Sequence, residues 1–413
     1  MKLASKTSIL GPGLLLAATG LGGGDLATGS LVGSILGPAV LWAVILGVLM
    51  KYSVTEGIAR WQLATGTTLL EGLKDKLGVI PIILFVPFLF VWTLFVGAAQ
   101  MSACGITLYA LLPYFTTPEN GKLIFGVLSS IVGLLLVWFG GYGFFEKLMR
   151  FFIILMFVTV VVTAAFLWPG NKVVISGMFI PSIPQVDSAI SWTVALIGGI
   201  GGTLTVLSYG YWMQEEGRFK KEDIGTCRTD LRFGYFVTAI FGMAMIIIGN
   251  SISVQGQGAS LLVQLAQQLE SVIGPIGMWL FLIGAWGAVF TSLLGVWQSV
   301  PYIFADCWRL IFSDRQKGGL VTRQINTSAW PYRSYLLLIS LIPMYGLLIG
   351  FTQVQRLYTI TGALIFPILA AVLLLFNSNS AYVGEALKNN YFQLTILLIN
   401  LAFFGWMFID IIN

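Results

Sequence analysis

The chain has 413 residues, 57% of them hydrophobic and only 9% charged, whereas a soluble domain carries about 25% charged residues and 45 to 50% apolar ones. Apolar runs of about 20 residues recur along its whole length, each able to cross the roughly 30 Å hydrocarbon core of a bilayer as a helix, so the chain is a polytopic membrane protein. The absence of histidine excludes His-ligated zinc, copper or haem and any histidine base; Cys104, Cys227 and Cys307 are too few for a disulfide framework, and no cofactor is expected.

In chain order the apolar runs predict eleven spans, at 9–37, 40–60, 79–113, 122–144, 147–168, 189–213, 232–252, 274–304, 334–351, 356–376 and 391–411. The first run follows Lys2 and Lys6, continues to about residue 50 and has no small-residue cleavage site, so it reads as a retained span rather than a signal peptide. Placing the N-terminus in the cytoplasm puts nearly all basic residues, among them Lys2, Lys6, Lys51, Arg60, Lys74, Lys147, Arg218, Arg228, Arg315, Lys317, Arg323 and Lys388, in inner connections. Only Lys122, Lys172 and Arg356 fall outside, which the positive-inside rule favours. The odd span count leaves Asn413 outside. A single transmembrane transporter domain over 1–413 is expected, in the cell's inner (plasma) membrane. The connections 169–188 and 251–274 read as external loops suited to gating.

Two spans are poor helices. Span 1 contains Thr19, Gly20, Leu21, Gly22, Gly23, Gly24 and Asp25; span 6 contains Gly198, Gly199, Ile200, Gly201, Gly202, Thr203, Leu204 and Thr205. Each glycine costs a helix about 1 kcal/mol relative to alanine, so both runs predict unwound backbone, which at membrane depth must face protein or a watery cavity. The breaks lie five spans apart, in halves of opposite topology. That is the pattern of an inverted-repeat secondary transporter with its site between two discontinuous helices; the repeats fall at about 9–168 and 189–376, with 391–411 an added helix. Close helix packing through small residues is the competing reading of the glycines.

The stretch Gly11-Pro12-Gly13-Leu14-Leu15-Leu16-Ala17-Ala18, with Ala27-Thr28, resembles span 1 of the Nramp metal-ion transporters. Ala59-Arg60 with Ala64-Thr65-Gly66, Leu69 and Glu71, Gly140-Gly141-Tyr142 with Glu146, and Phe376-Asn377-Ser378-Asn379 with Gly384 extend the resemblance over most of the chain. It implies an all-α membrane protein with a LeuT-type fold, discontinuous helices 1 and 6, and alternating access. The family's metal motifs do not carry over: Gly22, Gly23, Gly24 and Asp25 stand at its Asp-Pro-Gly-Asn, and Thr205, Val206 and Leu207 at its Met-Pro-His. Ala99 and Ser102 replace the span 3 acids of its proton route, and its span 10 glutamine falls at about Ile365. A magnesium-carrying branch of the family also has threonine for the methionine and lacks proton coupling.

Asp25 is the clearest intramembrane carboxylate, and hard cations such as Mg²⁺ prefer carboxylate, carbonyl and water oxygens. Carbonyls of Gly20–Gly24 and Gly199–Gly202 with the hydroxyls of Thr19, Thr203 and Thr205 complete the candidate site, Asp25 and Thr205 being the metal ligands. Asp25 as a simple helix N-cap is the competing reading. Tyr209, Tyr211 and Trp212 read as interfacial aromatics or a cation-binding face. Glu56 with Arg60, Asp230 with Arg232 and Asp306 with Arg309 read as structural ion pairs, and Gln214, Glu215 and Glu216 as a solvated helix end. No enzymatic motif is present. The expected function is secondary transport of a hard divalent cation of the Mg²⁺ or Mn²⁺ class without proton coupling. The alternatives are transport of a small organic amine or zwitterion and, third, a non-transporting membrane sensor or partner subunit. The expected partners are that small cation or molecule and the lipid bilayer, with no nucleic acid; no oligomeric state is assigned.

Overall fold

The computed structural model describes residues 11–251, 260–312 and 325–412. Lys2, Lys6, Arg315, Lys317, Arg323 and Asn413, used above for orientation, lie outside the described residues, as do 252–259 of the 251–274 connection; the rest of that connection, from Ser260, is helix rather than the expected loop. All regular elements among the described residues are helical.

Span 1 is split into α1 (Pro12–Gly20) and α2 (Gly23–Leu36). A 3₁₀ turn leads into α3 (Leu41–Thr65), span 2, and a short α4 (Leu69–Leu77) precedes α5 (Ile80–Leu111), span 3. α4 starts on a capping box, in which the Glu71 N–H donates to Thr68 Oγ1 at 3.1 Å and the Thr68 N–H to Glu71 Oε2 at 2.7 Å. α6 (Pro118–Phe166) carries spans 4 and 5, divided at Gly141, whose φ of 66° is a conformation that favours glycine. The connection expected to be a bare loop contains α7 (Asn171–Phe179), which packs on the turn before α3. Span 6 is split into α8 (Ala189–Gly199) and α9 (Ser208–Glu215). α10 (Ile224–Asn250) is span 7, and α11 (Ser260–Phe312), kinked at Gly274, includes span 8. α12 (Trp330–Leu341) with a 3₁₀ extension to Leu348 is span 9; α13 (Phe351–Ala363) and α14 (Ile365–Asn377) form span 10. α15 (Ser380–Val383) is one turn, and α16 (Tyr391–Ile412) is span 11.

α10 begins eight residues before the predicted start of span 7, which places Arg228, Asp230 and Arg232 within a helix rather than ahead of it. Lys51 is corrected more sharply: it lies in the middle of α3 and is 0% exposed, not in an inner connection.

Both halves of broken helix 1 lie along α10. A Cβ added to Gly13 would sit 2.4 Å from the Asp230 carbonyl oxygen, and one on Gly234 would sit 2.3 Å from that of Gly13. Along α2, a Cβ on Gly33 would come 2.3 Å from the Ile246 carbonyl oxygen, and one on Gly249 2.2 Å from that of Ser30. Only glycine permits backbones this close, the small-residue contact typical of membrane helices. Gly33→Ala therefore overpacks this seam and is expected to cost about 1 to 3 kcal/mol, lowering the melting temperature in detergent. Gly143→Ala, where an added Cβ meets nothing within 4 Å, is the matched control; equal melting of the two variants would refute the seam.

Candidate functional site

Span 1 breaks at Leu21–Gly22, at the start of the glycine triplet rather than through it. Leu21 has φ −87° and ψ 81°, and α2 starts with Gly22 as its N-cap. Asp25 fixes this start as the third residue of the helix: its Oδ2 accepts the Gly22 N–H at 3.2 Å. Gly23 and Gly24 are helical; the small size of Gly23 serves packing, since a Cβ there would fall 2.1 Å from Ala103 Cβ, whereas one on Gly24 would meet the Tyr358 ring at an ordinary 3.5 Å. The expectation of free carbonyls through Gly24 is thus corrected; Gly22 O already accepts the Leu26 N–H at 3.1 Å.

Span 6 breaks at 200–203, after α8 ends with Gly199. Gly201 and Gly202 take φ values of 76° and 87°, conformations that side chains with a Cβ rarely adopt. The two breaks touch backbone to backbone: a Cβ on Gly20 would lie 2.8 Å from Gly201 C and Gly202 N. The second Asp25 oxygen crosses this contact, Oδ1 accepting the Gly201 N–H at 3.3 Å. Asp25 is therefore neither a simple N-cap nor a free ligand, but the clasp between the broken helices.

Lys51 grips the same segment with the opposite polarity. Its Nζ donates to Gly198 O at 2.8 Å and to Gly202 O at 2.6 Å, and sits 5.0 Å from the centre of the Phe366 ring. Of these two carbonyls, that of Gly202 is among those expected to complete the cation site, and both accept hydrogen bonds from Lys51. Sequence reasoning missed this residue entirely.

The neutral polar wall comes from three further spans. Ser292 Oγ donates to Thr19 O at 2.6 Å, and Gln100 Nε2 donates to Ser292 Oγ at 2.8 Å; a Cβ on Gly22 would meet that hydroxyl at 2.5 Å and the amide at 2.9 Å. Gln355 Nε2 donates to Ala99 O at 2.9 Å, and its Oε1 would lie 3.4 Å from a Cβ on Gly24. A glutamine of span 10, Gln355, thus stands beside the break. Gln100 Oε1, Gln355 Oε1 and Thr205 Oγ1 are buried without a hydrogen-bond partner among the described residues. Of the threonines, Thr19 donates to Leu15 O at 2.7 Å and packs on Gly295, while Thr203, which packs on Gly362, has a buried hydroxyl without a partner among the described residues, as Thr205 does. No group of three or more acidic, cysteine or histidine side chains that could hold a metal occurs among the described residues.

A second layer of charge lies beyond α9. Asp230, fully buried, accepts the N–H groups of Gly11 and Gly13 at 3.0 and 2.8 Å, the Tyr209 hydroxyl at 3.2 Å and Arg218 Nη1 at 2.9 Å. Its ionic partner is Arg218 rather than Arg232, and it ties down the first turn of α1. Asp306 accepts Thr68 and Tyr211 hydroxyls at 2.9 and 2.8 Å and Arg309 Nη2 at 2.6 Å. Glu56 pairs with Arg60 at 2.7 Å, and Arg228 adds a contact at 2.9 Å. Tyr209, Tyr211 and Trp212 are thus buried hydrogen-bonding residues, Trp212 Nε1 donating to Gln298 Oε1 at 2.7 Å. Glu215 accepts the Tyr302 hydroxyl at 2.8 Å and lines a cavity of about 410 Å³ with Tyr142, Gln298 and Asn326. Glu216 accepts the Tyr142 hydroxyl at 3.2 Å; burial and then Glu146 push its carboxyl above the usual range. The end of span 6 is therefore a half-buried, hydrogen-bonded acidic patch rather than a fully solvated terminus.

Two discontinuous helices meeting at their breaks inside a bundle of membrane spans are the architecture of a LeuT-type transporter. The family model "natural resistance-associated macrophage protein-like" matches residues 13–411, and the chain belongs to the Nramp family. Among solved structures, the manganese transporter of Eremococcus coleocola superposes with a TM-score of 0.76 at 16% identity, covering 95% of this chain and 84% of that one. MhsT in complex with L-phenylalanine superposes at 0.67 and 15% identity, covering 96% and 97%. An uncharacterised protein of Pasteurella multocida is 25% identical over 76% of this chain and 73% of its own length. The protein is a membrane transporter, not an enzyme.

Asp230→Asn removes the carboxylate charge from the buried pair with Arg218, and breaking a buried pair costs about 3 to 5 kcal/mol. Hydrogen exchange should quicken across α1 while α2 stays protected; unchanged exchange in α1 would show that Asp230 does not anchor it.

Proposed function

We propose that this chain is a secondary transporter that moves a hard divalent cation of the Mg²⁺ or Mn²⁺ class by alternating access, without a proton relay. The observation that carries this reading is the set of oxygens around the two breaks: the Asp25 carboxylate, which bridges them, and the unpartnered Gln100 Oε1 beside Gly22, Gln355 Oε1 beside Gly24 and Thr205 Oγ1 beside Gly202. Hard cations bind such oxygens, and a site with one carboxylate suits an ion that keeps several waters. Family membership and the likeness to a manganese transporter support the same class. Ala99 and Ser102 leave span 3 without an acid to relay protons. With the N-terminus inside, the Asp230 and Asp306 networks lie on the cytoplasmic side, as the charge distribution favours.

Transport of a small organic zwitterion is the second reading, and Lys51 favours it. With Lys51 beside Asp25 the formal charges of the break cancel, which suits a neutral dipolar cargo better than a dication. Calorimetry on purified protein separates the two. Saturable heats with Mg²⁺ or Mn²⁺ are expected, weakened about tenfold or more, that is by about 1.4 kcal/mol, in Thr205→Val. That variant should melt like the parent, because the hydroxyl it loses has no partner. Heats with amino acids and none with divalent ions at millimolar concentration would give the site to the organic cargo.

A further inference from the structure

Unwound helix in a transporter core exposes carbonyl oxygens, and such oxygens ordinarily gather a bound cation. Here the break of span 6 has two of them, Gly198 O and Gly202 O, aimed at one point. The point is filled from inside the protein. Lys51 reaches it from the middle of α3, contributes donors at 2.8 and 2.6 Å, and has the Phe366 ring 5.0 Å away. Asp25 completes the arrangement by accepting the Gly201 N–H, one residue before the carbonyl that Lys51 takes. A buried ammonium is tolerated only when paired and hydrogen-bonded, and this one has carbonyls, a ring face and a nearby carboxylate. Nothing in such a constellation distinguishes an ammonium on a side chain from a free monovalent cation, except that the side chain cannot leave.

We propose that the carbonyls of Gly198 and Gly202 form a cation site whose resident cation is the Lys51 ammonium, so that the broken span 6 holds its shape without a separately bound sodium or potassium ion. The site adjoins the cargo site and shares Asp25 with it, but its carbonyls, Gly198 O and Gly202 O, are taken by Lys51, whereas the oxygens of Thr205, Gln100 and Gln355 have no partner among the described residues. Two consequences follow. Transport by the parent protein is indifferent to monovalent cations, and removal of the Lys51 side chain creates a vacancy that a small ammonium can enter.

Lys51→Ala removes three methylenes and the ammonium, the atoms of n-propylammonium. The variant should melt several degrees below the parent in detergent, and n-propylammonium chloride should restore at least half of the loss with saturation, by mass action on the folded state. Choline chloride and 1-propanol at equal concentration should not, and the parent should not respond. Lys51→Met, which keeps the stem and loses the charge, should melt low and stay unresponsive because its stem fills the space. Parent uptake of the cargo identified by calorimetry should be unchanged when sodium and potassium are replaced by choline. Melting of Lys51→Met at the parent temperature, failure of n-propylammonium to restore a folded Lys51→Ala, or sodium-dependent uptake by the parent would each overturn the proposal. If Lys51→Ala does not fold, the methionine variant and the parent uptake decide. The melting arms use no cargo, so they stand or fall separately from the transport reading.

Discussion

A helix interrupted inside a bilayer leaves N–H and C=O groups that lipid cannot satisfy, and their satisfaction is the constraint from which the rest of this molecule follows. At the crossing of spans 1 and 6 the demand is met by two opposite charges on one short segment. Asp25 takes the N–H of Gly201 and Lys51 takes the C=O of Gly202. Each charge would be costly alone at this depth. Together they are balanced, each with hydrogen bonds, and the glycine segment between them keeps left-handed dihedrals that no continuous helix holds.

That clasp organises what surrounds it. Because Asp25 caps α2 at Gly22, the glycines that follow stay helical, and Gly23 lets Ala103 approach. Because the Lys51 ammonium consumes two carbonyls of span 6, the oxygens left for a cargo come from side chains: Thr205, Gln100 and Gln355. The family fold is thus retained, and under the proposed function the cargo would meet amide and hydroxyl oxygens of side chains beside Asp25. The same division appears farther along the molecule, where three buried carboxylates, Glu56, Asp230 and Asp306, are each paired to arginine and closed off from the break.

Much of this was legible in the sequence, and the reasons differ by residue. Glycine announces a break because its helix penalty is local, so both discontinuous spans and the transporter class could be read directly. The location within the run could not, since a cap three residues on decides it. Glu56 with Arg60 and Asp306 with Arg309 are one-turn pairs and were readable from spacing. Asp230 misleads because its neighbour in sequence is Arg232, while its partner Arg218 arrives through the turn at Gly217, where φ is 72°. Lys51 was invisible for the same physical reason in stronger form: its partners are more than 140 positions away, and a lone lysine in an apolar run looks like a span end. Gln100 and Gln355 look from sequence like any neutral residue bonding between helices; only the lone pairs they leave unused set them apart.

The two seams along α10 are of different kinds. The seam with α2 is backbone packed on backbone through Gly33, Gly249 and Ser30, a contact that slides or shears only at the expense of many dispersion contacts at once. The seam with α1 has the same close packing at Gly13 and Gly234 but adds the Asp230 carboxylate, whose grip on the Gly11 and Gly13 N–H groups is discrete and ends when those few bonds part. Mechanically, one half of span 1 is glued to α10 and the other is pinned to it, with Leu21–Gly22 as the free joint between them. A force that tilts α10 carries α2 along as one body, while α1 has a release point of its own.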